Sequence, residues 1–207
     1  MLIGVRNITA ARKRHIEKLF SVHGSTLKAG TLREHGIHNR DLVELIDSGI
    51  LRKARRGYYM WIDHALDTSD IETAASLIPF GIICLQSAAF LHQLSQTNPS
   101  LVNIAISSNR SRVSLPVHPP VQLFSYSLST FTMGVTDAPF IEKPFRIYNR
   151  ERTVCDFFRK RKQLGMDLVL EVLQNYMQHS RNLQLLIEYA ETLHIRSVIT
   201  PYLEALA

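Results

Sequence analysis

Cysteine is scarce: the chain has only Cys84 and Cys155, far apart and outside any CxxC pair. That excludes a disulfide framework and a cysteine-built zinc site, and both thiols read as reduced and buried. Long apolar runs are missing too. The longest nearly apolar stretch, residues 74–85, is broken by Ser76, Pro79 and Gly81 and falls far short of a membrane span. The start, MLIGVRN, reaches Arg6 too early to build a signal-peptide core, so a cytoplasmic location without membrane partners is expected. Low-complexity tracts and solenoid-length repeats are absent. What remains is an ordinary globular composition, 45% hydrophobic and 20% charged over 207 residues. Such a length holds one large domain or two small ones and can bury a core unaided.

Catalytic signatures are equally thin. No HExxH, GxSxG, GxxxxGK or dinucleotide fingerprint occurs. The nine histidines are scattered, and His35-x-x-His38 lacks a third ligand or a nearby cysteine. Glu142-Lys143 follows Asp137 without the one-residue spacing of a nuclease acid–lysine pair. The expectation is a protein with no catalytic centre, metal or cofactor.

Charge is distributed unevenly. Residues 1–66 carry twelve Lys/Arg against six Asp/Glu, while residues 67–207 carry twelve of each. The whole excess of +6 therefore sits in the first third. This asymmetry suggests a polyanion-binding module joined to a neutral one.

The local pattern agrees. Ile16, Leu19, Phe20 and His23 recur at helical spacing, predicting an amphipathic helix over 9–22 that Gly24-Ser25 ends. A short helix is predicted over 27–35, stopped by Gly36. A tight Ile37-His38-Asn39 connection leads to a third helix over 40–48, with Leu42, Leu45 and Ile46 as its buried stripe and Gly49 as its C-cap. Two β-rich runs, 50–53 and 58–61, flank Ala54-Arg55-Arg56-Gly57, where Gly57 suits a hairpin turn. Helix, helix, tight turn, helix and basic hairpin together read as a winged helix-turn-helix.

On that reading the third helix enters the major groove and presents His38, Asn39 and Arg40 to base edges. Arg40 suits guanine O6 and N7, and Asn39 suits adenine N6 and N7. Each has a structural alternative: Asn39 as the helix N-cap, Arg40 as partner of Glu44 at i, i+4. Arg52, Lys53, Arg55 and Arg56 crowd one hairpin that is expected to project towards the minor groove or flanking phosphates. Lys28 and Arg33 are candidates for positioning contacts. Arg12, Lys13 and Arg14 either touch the backbone or face solvent. About four to six phosphate contacts imply a slope near −4 to −5 in log K against log salt.

The remainder reads as α+β, a small mixed sheet followed by a helical cluster. A polar connection spans 63–70. Helices are expected over 71–78, 88–94, 153–162, 166–177, 183–193 and 197–206, and strands over 81–85, 101–106, 121–126 and 145–148. Ser87 is expected to cap the helix after it, with Ser107, Ser108 and Arg110 as polar-cleft candidates. Asn149 or Thr153 is expected to cap the 153–162 helix, with Asp156 in its first turn near Arg152 or the helix amides. Arg159-Lys160-Arg161-Lys162 is either a contact for RNA, protein or DNA, or a solvated helix end.

Five ordered segments carry a family resemblance: LREHGIHNRDLVELIDSGIL (32–51), Arg56-Gly57-Tyr58-Tyr59, ICLQSAAFLHQL (83–94), YNRERTVCDFF (148–158) with the following Arg159-Lys160-Arg161, and LIEYAETL (186–193). Nearly end to end, the chain resembles the AbiEi-type antitoxins of type IV toxin–antitoxin systems, transcriptional regulators of phage-defence operons. The resemblance implies a winged-helix domain over 1–66 that represses its own operon, and an antitoxin domain over 67–207; binding is expected at inverted repeats upstream of the protein's own gene. It also implies a nucleotidyltransferase toxin as functional partner, countered without a tight complex. Two other classes stay open: a ligand-responsive winged-helix transcription factor without antitoxin role, and a nucleic-acid-modifying enzyme, for which the sequence shows no ligand cluster.

Overall fold

In the computed structural model, residues 8–62, 69–110, 113–138, 144–178 and 181–206 are described. Glu142-Lys143 and all but the last two residues of the expected 63–70 connection lie outside them. The protein is mixed α+β with helices at both ends. It divides into two compact units, one of residues 1–77 with 113–119, the other of 78–112 with 120–207. The first unit therefore runs further along the chain than the charge pattern marks.

The first unit opens with α1 (Ala10–His23), whose N-cap Thr9 accepts the Arg12 amide and whose end is closed by the Gly24 N–H on the Phe20 carbonyl. β1 (Thr26–Lys28), α2 (Ala29–Glu34), α3 (Asn39–Asp47), β2 (Leu51–Arg55) and β3 (Tyr58–Trp61) follow. The strands form one antiparallel sheet ordered β1-β3-β2. Ile16, Phe20, Leu27, Leu32, Ile37, Leu42, Leu45, Leu51 and Trp61 make its core. Burying each of the larger ones contributes about 1.5–3 kcal/mol. α4 (Asp70–Leu77) packs on β1, and Val117 of the returning segment donates its N–H to the Ala54 carbonyl at 3.0 Å.

Two local expectations change. Leu27 and Lys28, read as the start of a helix, belong to a strand over 26–28, because Thr26, Leu27 and Lys28 pair with Met60, Tyr59 and Tyr58. The third helix ends on Ser48 as C-cap rather than Gly49, and the Gly49 and Ile50 amides close it on the Ile46 and Leu45 carbonyls.

The second unit contains β4 (Ile82–Ile83), α5 (Leu85–Leu91), β5 (Val102–Ser107), β6 (Val121–Tyr126), α6 (Leu128–Phe131), β7 (Val135–Asp137) and β8 (Arg146–Tyr148). Five helices complete it: α7 (Arg150–Arg159), α8 (Arg161–Leu164), α9 (Met166–Gln178), α10 (Leu183–Thr192) and α11 (Arg196–Ala205). The sheet order is β6-β5-β4-β8-β7, with β5/β6 and β4/β8 parallel and the other pairs antiparallel. α5 starts earlier than expected because Asn103 on β5 anchors its first turn: its Oδ1 accepts the Gln86 amide at 3.2 Å. Ser87 is thus no N-cap; its buried hydroxyl accepts the Asn103 N–H at 2.9 Å.

α7 is the centre of this unit, and every residue from Glu151 to Phe158 is buried. Val154, Cys155, Phe157 and Phe158 feed a core that α9, α10 and α11 complete. Asn149 caps the helix by accepting the Arg152 amide at 2.9 Å. The helix therefore begins three residues before the expected Thr153. Asp156 sits in its second half instead of the first turn, where no free amides remain for it. Its partner is Arg152, at 3.1 Å, with 0% and 1% of the two side chains exposed. The Arg152 guanidinium also donates to the Thr130 and Met133 carbonyls and lies over the Tyr148 and Tyr126 rings at 4.5 and 5.3 Å. Gly134 leaves room for this: with φ at +75°, a Cβ there would stand 2.7 Å from that of Arg152. Burial pushes the Asp156 carboxyl up, against the pull of Arg152 and Arg159, and drives the Cys84 thiol up as well.

Removing one partner of a buried pair strands the other. Arg152→Ala is expected to cost about 3–5 kcal/mol in chemical denaturation. A loss under about 1 kcal/mol would show the pair to be dispensable. His92 supplies a pH test. Its Nε2 meets the Tyr148 carbonyl at 2.7 Å, and burial lowers its pKa from 6.5, outweighing that bond. The imidazole is thus neutral in the fold and protonates more readily when unfolded. Its contribution is complete above 6.5 and fades as pH falls below that value. Denaturation midpoints of the wild type should drop across this window, and those of His92→Gln should drop less.

Candidate nucleic-acid interface

The N-terminus of α3 is built around Asp41. Its carboxylate accepts the His38 backbone N–H at 3.0 Å and a bond from the Arg12 guanidinium at 2.9 Å. The same guanidinium nitrogen donates to the Gly36 carbonyl. Arg12 therefore ties α1 to the turn between α2 and α3 and is not a free cation. Burial works to raise the Asp41 carboxyl, but the His38 amide and Arg12 outweigh it and hold it below its ordinary 3.8.

This turn leaves His38, Asn39 and Arg40 exposed together at the start of the helix. His38 is the N-cap and Asn39 the first helical residue, so the capping alternative for Asn39 is set aside. The alternative for Arg40 fails as well. Glu44 accepts the Ile8 backbone N–H, and among the described residues Arg40 forms no ion pair. One turn on, Val43 is 57% exposed, on the face away from buried Leu42 and Leu45. Sequence reading passed over it; the usable signal was an aliphatic residue off the Leu42-Leu45-Ile46 stripe.

The hairpin brings a second group together. β2 continues through Arg55, so the turn is only Arg56-Gly57, with Gly57 at φ +78°. Lys28, Tyr58 and Arg55 form one cross-strand row: the Tyr58 ring has the Arg55 guanidinium at 3.8 Å and the Lys28 ammonium at 5.8 Å. Lys53 and Arg56 are exposed. Arg52 is half-buried and turns its Nε and Nη2 to the Met60 sulfur at 3.3 and 3.2 Å. The tip does not project free, because the Gly57 carbonyl accepts the Ala29 amide at 2.8 Å. Arg33 is exposed on α2, its Nε on the Ala29 carbonyl at 3.3 Å.

Elsewhere several of the cationic candidates are more committed. Arg159 bonds Asp156 at 3.4 Å, Arg161 bonds the Phe158 carbonyl at 2.9 Å, and Lys160 lies over Phe124 at 5.9 Å. Arg110 stacks on Phe80 at 3.8 Å. Among the described residues no three His, Cys, Asp or Glu side chains group as metal ligands would, and no helix is long and apolar enough to cross a membrane.

No protein-family model matches this chain, and no curated protein matches it.

Asp41→Asn keeps the shape and removes the charge. It is expected to cost about 1 kcal/mol by denaturation at neutral pH. The charge of Asp41 stabilises above 3.8 and is lost as pH falls through its lowered value, so the variant should also have the flatter acid limb. Equal acid limbs would remove Asp41 as the organiser of this turn.

Proposed function

We propose that the first unit is a winged helix-turn-helix that binds duplex DNA, and that the protein is a cytoplasmic autorepressor and antitoxin of the AbiEi type. The observation that supports the DNA-binding half is topological and electrostatic at once. α1, β1, α2, α3, β2 and β3 succeed one another with the sheet ordered β1-β3-β2, and the exposed cations Lys28, Arg33, Arg40, Lys53 and Arg56 belong to this one unit. In the mechanism, α3 lies in the major groove with Arg40, Asn39 and His38 at base edges. The short hairpin meets flanking phosphates through Lys53, Arg56 and the Lys28–Arg55 pair around Tyr58. Arg52, held against Met60, orders the strand and contributes field more than a direct contact. Two copies bound at an inverted repeat upstream of the protein's own gene would occlude its promoter.

The antitoxin half rests on the ordered sequence resemblance, with the charge-neutral remainder of the chain as its carrier and a neighbouring nucleotidyltransferase as the toxin opposed. Growth rescue on co-expression with that toxin tests it. A chain that represses transcription but leaves the toxin's effect intact would reduce the assignment to a regulator alone.

Gel-shift titration on the native promoter at several ionic strengths tests the DNA-binding half, and saturable sequence-selective binding is expected. Replacing Arg55 and Arg56 by Ala should weaken binding to all sequences and flatten the salt slope by about two units. An unchanged slope would remove the hairpin from the interface.

A further inference from the structure

Val43 is the one exposed large aliphatic side chain on α3. Lone exposed aliphatics are common on protein surfaces and mean nothing by themselves. This one has particular neighbours. Arg40, Val43 and Asp47, all exposed, follow at i, i+3 and i+7 and so share the face opposite Leu42 and Leu45. Around them the carboxylates of the first two turns are occupied: Asp41 by Arg12 and the His38 amide, Glu44 by the Ile8 amide. The surface offered is a donor-rich turn of His38, Asn39 and Arg40 followed by a compact apolar knob, with the free acid, Asp47, only at the far end.

A partner fitting that surface is anionic at its margins, carries hydrogen-bond acceptors, and exposes a small apolar group one step away. The major groove of DNA has this composition, and its only apolar group is the C5 methyl of thymine. Three helix residues advance about 4.5 Å, enough to step from one base to its neighbour about 3.4 Å along the strand. Valine is also stiff at χ1 in a helix, so it has little rotamer freedom to lose on contact.

We propose that Val43 reads a thymine methyl on the base pair next to that contacted by Arg40, which makes it a specificity-determining residue of the α3 interface. The proposal deepens the DNA-binding reading and rests on it. The contact would select thymine over cytosine at one position of each half-site, and over uracil at the same position.

The test uses the full-length chain and a duplex selected for tight binding, with each thymine replaced singly by deoxyuridine. Wild type should lose about fourfold in affinity at one position per half-site, the effect of withdrawing one buried methyl. Val43→Ala should bind the thymine duplex as weakly as wild type binds the deoxyuridine duplex, and should show no further loss on the latter. Val43→Thr, which keeps the branching and one methyl, serves as a second variant, and melting temperatures check that both are folded. Indifference of wild type to every thymine replacement overturns the proposal while leaving DNA binding intact. A Val43→Ala chain that keeps the full methyl effect overturns it too, by assigning the contact to another residue. Failure of the wild type to bind any duplex at low salt removes the DNA-binding reading and the proposal together, and is told apart by the loss of all binding.

Discussion

The N-terminal unit turns on one carboxylate. Asp41 stands at the first turn of α3, where helix amides lack intrahelical partners, and takes up the His38 N–H and the Arg12 guanidinium together. An ion pair with 33% and 15% of its side chains exposed contributes little by charge alone. Its weight comes from where its bonds go. Through Arg12 it joins α1 to the Gly36 carbonyl, and so braces the α2–α3 connection from which His38, Asn39 and Arg40 are exposed, together with buried Ile37 and the backbone bonds of the turn.

The two units spend their charges in opposite ways. In the first, Lys53, Arg56, Arg40 and Lys28 stay exposed, and much of their field is available to an outside anion. At the centre of the second, charge is turned inward. Asp156 pairs with both Arg152 and Arg159, Glu151 accepts the Tyr176 hydroxyl at 3.1 Å, and two tyrosine rings cover the Arg152 guanidinium, whose Nη2 is buried without a hydrogen-bond partner among the described residues. Such a centre tolerates little, since each removed partner leaves a desolvated charge behind. The basic run at the end of α7 follows the same logic: three of its four cations have carbonyl, carboxylate or ring partners, and Lys162 is exposed with no partner among the described residues.

Much of the fold was legible because its signals are local. α1, α3 and the two hairpin strands follow from helical spacing of apolar residues, glycine stops and β-rich runs, and their observed bounds stay within a few residues of the expectation. β1 was not legible, since three residues carry no periodicity and their strand character comes only from pairing with Tyr58–Met60. β7 and α6 are equally short and were missed for the same reason. The start of α5 was misplaced because Asn103, far along the chain, supplies the anchoring that Ser87 was expected to provide. Within the candidate interface, the residue types were legible but their availability was not. Arg52 and Arg12 look as free as Arg56 in the sequence, and only their contacts with Met60, Gly36 and Asp41 separate them.

By itself the sequence determined the α+β class, the charge asymmetry between the first third and the rest, and the cationic hairpin, because composition and short-range periodicity depend on nearest neighbours alone. Tertiary structure decided which cations remain free, which carboxylates are consumed, and that an arginine and an aspartate lie buried at the centre of α7. Those outcomes depend on groups distant in the chain meeting in space, where burial and hydrogen bonding, rather than residue type, set what each side chain can still do.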